Sequence, residues 1–127
     1  TRLDPILAVN DIEASAEWYQ SIFGFKKAHG GDDFAVLTTE ENEIILCLHE
    51  WGEHNHPSLF DKTKPSGNGL LLYFSTTEFE SVKNRVDKAG AIITENVHLN
   101  QRSLRNEFSF LDLDGYHLTV TEFHEYK

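Results

Sequence analysis

The feature that most constrains this chain is a pattern of strands and one helix that occurs twice. The first copy opens with the apolar run "DPILAV" and continues through the helical periodicity of "NDIEASAEWYQSIFG". It ends in short strands, the last two being "FAVLTT" and "EIILCLHE". The second copy runs from "GLLLYFS" through "TTEFESVKNRVDKAG" and "AIITENV" to the hairpin "SFLDLDGYHLTVTEF". The sequence therefore predicts two βαβββ modules, an α+β fold.

Both predicted helices carry signals at their ends. Asn10 and Thr77 stand at N-cap positions, and each is followed three residues later by the glutamate of a capping box. Gly24 and Gly90 stand where the helices should stop. Apolar residues recur at helical spacing on one face of each helix: Ile12, Ala16, Tyr19 and Phe23 in the first, and Phe79, Val82, Val86 and Ala89 in the second.

The 127-residue chain has the length of one ordinary domain, so residues 1–127 are predicted to form a single domain. The modules span about residues 3–50 and 69–125, joined by a linker at 51–68 that holds all but one of the prolines. Each module alone would expose one face of a small curved sheet. We expect the mixed sheets to curve around a concave cavity, the kind of site where small molecules bind.

Charge and composition narrow the classes of partner. The formal net charge of −10 disfavours binding to nucleic acid and favours cationic ligands. No apolar run approaches the length of about 20 residues that crosses a membrane, so no membrane partner is expected. The single Cys47 cannot form an internal disulfide and is expected to be packed and inert. We therefore expect a cytoplasmic protein.

The histidines do not form a recognisable metal motif. In "HEWGEH", His49 and His54 are five residues apart with Gly52 between them, whereas the zincin motif needs two histidines at i, i+4 on a helix. His54 and His56 alternate as strand residues do, but they lie in the polar linker. If a metal were bound, His49, His54 and His56 would be the first residues to consider.

Two segments resemble a known family. "ILAVNDIEASAEWYQSIFGF" and "FSFLDLDGYHLTVTE" are similar to the two signatures of the vicinal oxygen chelate superfamily, which includes glyoxalase I, extradiol dioxygenases, and fosfomycin- and bleomycin-resistance proteins. The resemblance runs from about Leu3 to Glu125. It implies the glyoxalase/bleomycin-resistance/dioxygenase fold, in which mixed sheets surround a cavity. It does not imply one activity, because this fold hosts several.

The resemblance also implies where a metal would lie. Carried over position by position, the ligands of the superfamily's enzymes fall on Asp4, Leu46, Leu70 or Leu71, and Thr119. Leucine cannot ligate a metal, and an aspartate with a threonine is a poor set for zinc, nickel or iron. No metal and no cofactor are therefore predicted.

Among metal-free members, bleomycin-resistance proteins are the most similar in these segments. "GDDFAVL" resembles their first cavity strand, which implies that Phe34 stacks on a flat ligand and that Phe108 is its counterpart in the internal repeat. Their second stacking position falls on Leu104, so Trp51 or Phe60 would supply another aromatic face. The predicted ligand-binding residues are Phe34, Val36, Trp51, Phe60, Leu104 and Glu107.

The resemblance thus implies a bacterial antibiotic-resistance protein that sequesters a cationic or aromatic small molecule in a groove at a homodimer interface. One alternative is a glyoxalase- or lyase-like enzyme with a relocated metal or an acid–base pair such as Glu107 with His117, since "EWG" and "DGYHLTVTE" resemble glyoxalase I. Another is a regulatory or immunity-like module without a ligand. Phe34 itself has an alternative role, as a core residue packed under a helix.

Overall fold

The computed structural model describes residues 2–31, 33–52, 57–59, 61–65 and 67–123. The first module contains β1 (Ile6–Val9), α1 (Ile12–Phe23), β2 (Lys26–Gly30), β3 (Phe34–Thr38) and β4 (Ile44–Glu50), and a short 3-10 turn follows at Pro57–Leu59. The second contains β5 (Leu71–Thr76), α2 (Phe79–Lys88), β6 (Ile93–Leu99), β7 (Asn106–Leu111) and β8 (His117–Glu122). The chain divides into two compact units, Thr1–Pro65 and Ser66–Lys127. The predicted tandem βαβββ repeat is confirmed.

Each unit contains one four-stranded mixed sheet. The strand orders are β1-β4-β3-β2 and β5-β8-β7-β6. In both sheets the first strand pairs in parallel with the last strand of its module, and the remaining pairs are antiparallel. The α+β prediction is therefore confirmed. Neither α1 nor α2, the α-helices among the described residues, is long and apolar enough to cross a membrane.

The two faces of each sheet differ because side chains alternate along a strand. In the first unit Ala35, Leu37 and Leu48 are fully buried on the face that packs against α1. In the second unit Phe108 lies on the equivalent face, where its ring meets Phe79 of α2 edge-on at 5.5 Å. We call this side of each sheet the helix face and the opposite side the distal face.

Apolar side chains of the helices complete the two cores. The predicted helical faces are confirmed in large part, since the residues of these stripes are buried except Phe23, which is half-buried, and Ala89, which is exposed. Trp18 is buried as well and meets Tyr19 edge-on at 4.9 Å. The burial of these aromatic rings is a main source of stability for each unit.

The predicted N-caps are both wrong by one residue, whereas the predicted stops are confirmed. Asp11, not Asn10, caps α1: its backbone is extended (φ −139°, ψ 106°), and its carboxylate accepts a 3.0 Å hydrogen bond from the backbone N–H of Ala14. The N-cap of α2 is Glu78, which makes no side-chain capping bond. At the other ends, Gly24 and Gly90 adopt φ angles of 75° and 72°, a conformation that glycine reaches at little cost.

Candidate functional site

The strand registers show which residues of the two modules are equivalent. Val9 ends β1 three residues before α1 begins, and Thr76 ends β5 three residues before α2 begins. If Val9 and Thr76 are taken as equivalent, the strand pairings make Phe34 of the first module equivalent to Glu107 of the second. On the same basis three further positions of the distal faces correspond: Ile6 with Tyr73, Val36 with Ser109, and Cys47 with Thr119. At these four positions the distal face is therefore apolar in the first module and polar in the second.

The register corrects one prediction about the repeat. Phe108 is not the counterpart of Phe34, because it lies on the helix face with no exposed surface, packed against Phe79 and stacked on Phe110. An alignment of the two hairpins by their turns places the second hairpin one residue out of register with the first. A shift of one residue moves every side chain of a strand to the other face.

Glu107 is the centre of the polar distal face. Its side chain is only 10% exposed, yet both carboxylate oxygens accept hydrogen bonds. The hydroxyl group of Tyr73 donates to Oε2 at 2.7 Å, and the amide nitrogen of Asn100 donates to Oε1 at 3.1 Å. A carboxylate that is buried in this way loses water, so the bonds from Tyr73 and Asn100 offset part of the cost of its burial.

His98 lies beside this carboxylate on the neighbouring edge strand β6. Its Nε2 atom is 3.6 Å from Oε1 of Glu107 and 3.9 Å from Oε2 of Glu95. Its Nδ1 atom lies 2.8 Å from the backbone oxygen of Asn96 and donates to it when it carries the proton. The bond to Asn96 is the main cause of a raised pKa of His98, desolvation opposes it, and the negative charges of Glu95 and Glu107 add to it.

Hydroxyl groups extend the network toward the middle of the sheet. Ser109 Oγ lies 3.2 Å from Oε1 of Glu95, to which it donates, and 2.7 Å from Oγ1 of Thr119. We call the connected residues the Glu107 cluster: Tyr73, Glu95, His98, Asn100, Glu107, Ser109 and Thr119. Glu95 and His98 are partly exposed, so the cluster opens to solvent at the edge of the sheet.

Of the cluster's seven residues, sequence reasoning singled out only Glu107 for ligand binding. Alternation places Tyr73 and Glu107 on one face, but strand β8 lies between their strands, and the tyrosine side chain has to reach over it. Nothing local signals this contact between residues that are 34 positions apart. The polarity of the distal face could have been predicted, because large apolar residues alternate with polar ones along β7 and β8.

The proposed acid–base partner of Glu107 is corrected by the same registers. Glu107 pairs with Thr121 of β8, whereas His117 pairs with Leu111, four residues further along β7. At about 3.3 Å per residue, His117 is on the order of 13 Å away along the strand, too far for proton exchange with Glu107. Among the histidines that the structure describes, His98 lies near Glu107.

Leu104 lies in the turn between β6 and β7 and not on a sheet face. Its backbone is left-handed (φ 60°), and 63% of its surface is exposed. Asn100 organises this turn, since its side-chain oxygen accepts hydrogen bonds from the backbone N–H groups of Arg102 and Ser103. The same Asn100 side chain bonds to Glu107, so the turn and the carboxylate are held together.

Phe34 and Val36 are half-buried on the apolar distal face of the first module. The ring of Phe34 lies 5.9 Å from that of His49, at an interplanar angle of 66°. The alternative that Phe34 packs under a helix is wrong, because its neighbour Ala35 takes the helix face. Its role in ligand binding stays a prediction.

Of the remaining predicted site residues, Trp51 and Phe60, the structure describes only Trp51. Trp51 is half-buried just beyond the end of β4. Phe60, His54 and His56 lie outside the described residues. Their predicted roles therefore stay predictions.

The positions carried over for a metal do not form a fitting donor set. Leu46 lies on the helix face, 1% exposed, and the residue on the distal face is its neighbour Cys47. Burial raises the pKa of the Cys47 thiol, and the negative charge of Asp4 raises it further against the opposing charge of Arg2. Asp4 is itself paired with Arg2, at 2.7 Å. Within the described ranges, no three His, Cys, Asp or Glu side chains are arranged to hold a metal ion.

A separate open cavity of about 420 Å³ lies at the N-terminal end of α1. Its lining is polar and consists of Asn10, Asp11, Ile12, Glu13, Lys27, Gly31 and Glu50. One of its carboxylates, Asp11, is already engaged in capping the helix. None of the predicted ligand-binding residues lines this cavity.

Comparisons with known proteins agree with this architecture. The family model of the Glyoxalase/Bleomycin resistance protein/Dioxygenase superfamily matches residues 2–120. Comparison with curated protein sequences finds no significant match. Among solved structures, a glyoxylase/bleomycin resistance protein/dioxygenase domain from Frankia sp. EAN1pec is 27% identical, with a TM-score of 0.69 over 100% of this chain and 94% of that one.

Two further structures show the same fold at lower identity. A glyoxalase/bleomycin resistance protein/dioxygenase family enzyme from Burkholderia phytofirmans PsJN is 19% identical, with a TM-score of 0.76 over 92% of this chain and 94% of that one. The hypothetical protein SA1046 from S. aureus is 22% identical, with a TM-score of 0.77 over 97% and 94% of the two chains. With its tandem βαβββ modules and a family match over nearly its whole length, the chain belongs to the Glyoxalase/Bleomycin resistance protein/Dioxygenase superfamily.

Proposed function

We propose that this protein binds a small molecule and that the Glu107 cluster holds a cationic group of that ligand. The observation that carries the proposal is a departure from the repeat. Where the first module has Phe34 on its distal face, the second has a buried glutamate supported by Tyr73 and Asn100. The fold accepts an apolar residue at this position, so the carboxylate is kept at a cost to stability that a ligand would explain.

Electrostatics support a cationic ligand. A single carboxylate with low exposure attracts a cation more strongly than a carboxylate in bulk water does, because the local dielectric constant is lower. The formal net charge of −10 adds a long-range field of the same sign, which speeds the capture of cations. An anionic or nucleic-acid ligand is disfavoured by the same charges.

A planar aromatic group is proposed to bind to the first module. Phe34 and Val36 present an apolar, half-buried surface on the distal face, of the kind that stacks against a planar group. The superfamily's name includes bleomycin resistance proteins, and by that resemblance we extend the proposal to sequestration of a cationic, aromatic compound by a homodimer. No metal enters this proposal, because the carried-over donor set does not fit one.

Calorimetric titration with bleomycin and with benzylamine tests the binding proposal. Glu107→Gln keeps the shape of the side chain and removes its charge, so we expect at least about tenfold weaker binding of both compounds. Glu17→Gln is the matched control, because it removes one negative charge from an exposed position on α1. Equal affinities of wild type and Glu107→Gln would refute the proposed site.

The oligomeric state is tested separately by sedimentation. A homodimer would sediment with twice the chain mass of 14.5 kDa at micromolar concentration. A clean monomer under these conditions would refute the part of the proposal that places binding in a dimer groove.

An acid–base enzyme is the second candidate, favoured by the proximity of Glu107 and His98. Their side chains approach to 3.6 Å in a partly exposed cluster, which is the arrangement of a proton donor and acceptor. The glyoxalase reaction is the first to assay, with methylglyoxal and glutathione and detection of the thioester product. Turnover that Glu107→Gln and His98→Gln each abolish would favour catalysis over sequestration.

A further inference from the structure

The strongest unexplained feature of the Glu107 cluster is that it already contains a potential cation of its own. The Nε2 atom of His98 faces carboxylate oxygens from two strands, Glu95 on β6 and Glu107 on β7. A protonated imidazole in this place lies near both negative charges and balances one of them. Any other cation that binds to the two carboxylates has to take the same place.

His98 is positioned so that it can leave without disturbing the core. Its side chain is 38% exposed, and it lies on β6, which is an edge strand. The pairing of β6 with β7 shifts register between Glu95 and His98, so the ladder is already interrupted there. Its anchoring hydrogen bond goes to Asn96 of its own strand and not to the packed interior.

We infer that His98 is an internal competitor for the ligand, and that the preferred ligand head is a planar, delocalised cation, a guanidinium or amidinium, that replaces the imidazole between Glu95 and Glu107. This inference rests on the proposed function and names the chemical class of its cation. Imidazolium is itself planar and delocalised, with N–H donors in the plane of the ring. Guanidinium and amidinium groups reproduce that geometry with two or more donors, whereas an ammonium group is a compact and strongly hydrated point charge.

The other polar groups that the structure describes around His98 hold the two carboxylates in place but are not cations, so only His98 competes with the ligand. Tyr73 from β5 donates to Oε2 of Glu107, and Asn100 from the adjoining turn donates to Oε1, the oxygen that His98 Nε2 also faces. Ser109 of β7 donates to Glu95 and lies against Thr119 of β8. Both carboxylates are therefore oriented whether or not the imidazole is charged, and the protonation of His98 sets how many cations the cluster still accepts.

The test is calorimetric titration of the intact protein with benzamidine, benzylamine and neutral benzamide between pH 5.5 and pH 8.5. Benzamidine is expected to bind at least about threefold more tightly than benzylamine at pH 8.5, and benzamide not to bind measurably. Because binding requires neutral His98, benzamidine affinity should fall about tenfold by pH 5.5. In His98→Gln, the affinity for benzamidine should change much less between pH 8.5 and pH 5.5. Glu95→Gln should still bind both compounds but should no longer prefer benzamidine over benzylamine.

A spectroscopic readout separates competition from a general effect of pH. When benzamidine is bound, the imidazole resonances of His98 should titrate at a lower pH than in the free protein, because the two carboxylates are occupied. If none of the three compounds binds at any pH, the proposed function is refuted and this inference with it. If benzamidine binds with an affinity that does not depend on His98, or more weakly than benzylamine, only this inference is refuted.

Discussion

The hydroxyl group of Tyr73 donates a 2.7 Å hydrogen bond to Oε2 of Glu107 across an intervening strand. It is one of two side-chain bonds that fix the orientation of this carboxylate, the other coming from Asn100. Tyr73 is 45% exposed and therefore also forms part of the solvent-facing surface of the site. We therefore expect this pair to affect both the stability of the second module and the proposed binding.

Removal of this hydroxyl group should lower both stability and ligand affinity. We expect Tyr73→Phe to reduce the free energy of unfolding by about 1.5 kcal/mol, the lower end of the usual range for a hydrogen bond to a charged group, because Tyr73 is partly exposed. A double-mutant cycle with Glu107→Gln in urea unfolding measures the coupling of the two residues. If the losses of unfolding free energy in the two single variants add up to the loss in the double variant, the hydrogen bond contributes nothing to stability in solution.

The charge of His98 should make the stability of the second module depend on pH. Its pKa in the folded protein is raised above the ordinary value of 6.5, mainly by the hydrogen bond to Asn96 and also by Glu95 and Glu107. The protonated form is thus favoured by folding, so its stabilising contribution is fully present below pH 6.5 and is lost as the pH rises through the folded-state pKa.

The comparison of wild type with His98→Gln measures this contribution. The difference in urea midpoint should be larger at pH 5.5 than at pH 8.5. His117→Gln removes an exposed histidine outside the Glu107 cluster and serves as the control. A difference that grows with pH would contradict the raised pKa.

Phe34→Ala should weaken the binding of planar cationic compounds by more than about tenfold, through lost burial and lost stacking. Phe34 and Glu107 belong to separate compact units, so the two substitutions are tested independently. Titration with bleomycin gives the affinity, and Phe123→Ala, which truncates an exposed ring after β8, is the control. Unchanged affinity together with a melting temperature lowered by several degrees would assign Phe34 to structure alone.

Cys47 should react slowly with alkylating reagents. Its pKa is raised, first by burial and then by the negative charge of Asp4, so little thiolate is present near neutral pH. We expect iodoacetamide to modify the folded protein at pH 8 much more slowly than the urea-unfolded chain. Asp4→Asn should speed the reaction, but by less than unfolding does, because burial is the larger cause. A rate in the folded protein equal to that of the unfolded chain would contradict this description.

Leu104 should be a site where glycine stabilises the protein. Its φ of 60° costs a residue with a Cβ atom roughly 1–2 kcal/mol, and the exposed side chain recovers little of this by packing. Leu104→Gly is therefore expected to raise the free energy of unfolding by about 0.5–1 kcal/mol after the added entropy of the unfolded chain is included. Asn42→Gly is the control with a similar φ of 66°, where asparagine already tolerates the conformation and the gain should be smaller. A lower free energy of unfolding for Leu104→Gly would mean that the Leu104 side chain makes a stabilising contact.

Local patterns in the sequence were enough to predict the order of the elements and the side of each helix that is buried. Those features depend on periodicity within one segment, 3.6 residues in a helix and two in a strand, and they need no knowledge of neighbours. The same alternation correctly separated Phe34 and Val36 from Ala35 and Leu37.

Errors appeared wherever two segments had to be aligned with each other. Leu46 was assigned to a position that Cys47 holds, and Phe108 to the position of Glu107, each a shift of one residue. The N-caps were also displaced by one residue, although each lies within a single segment, since Asp11 and not Asn10 makes the capping bond. A single residue is enough to change the face of a side chain, so small errors of register become errors of function.

The sequence by itself thus determined the tandem βαβββ modules, the acidic charge, and the family to which they belong. Only the tertiary structure decided that Tyr73, His98 and Asn100 surround Glu107, and that His117 does not. The physical reason is that strand order and register are set by the packing of whole sheets, in which every strand constrains its neighbours. Residues far apart in the chain then meet through contacts that no single segment encodes.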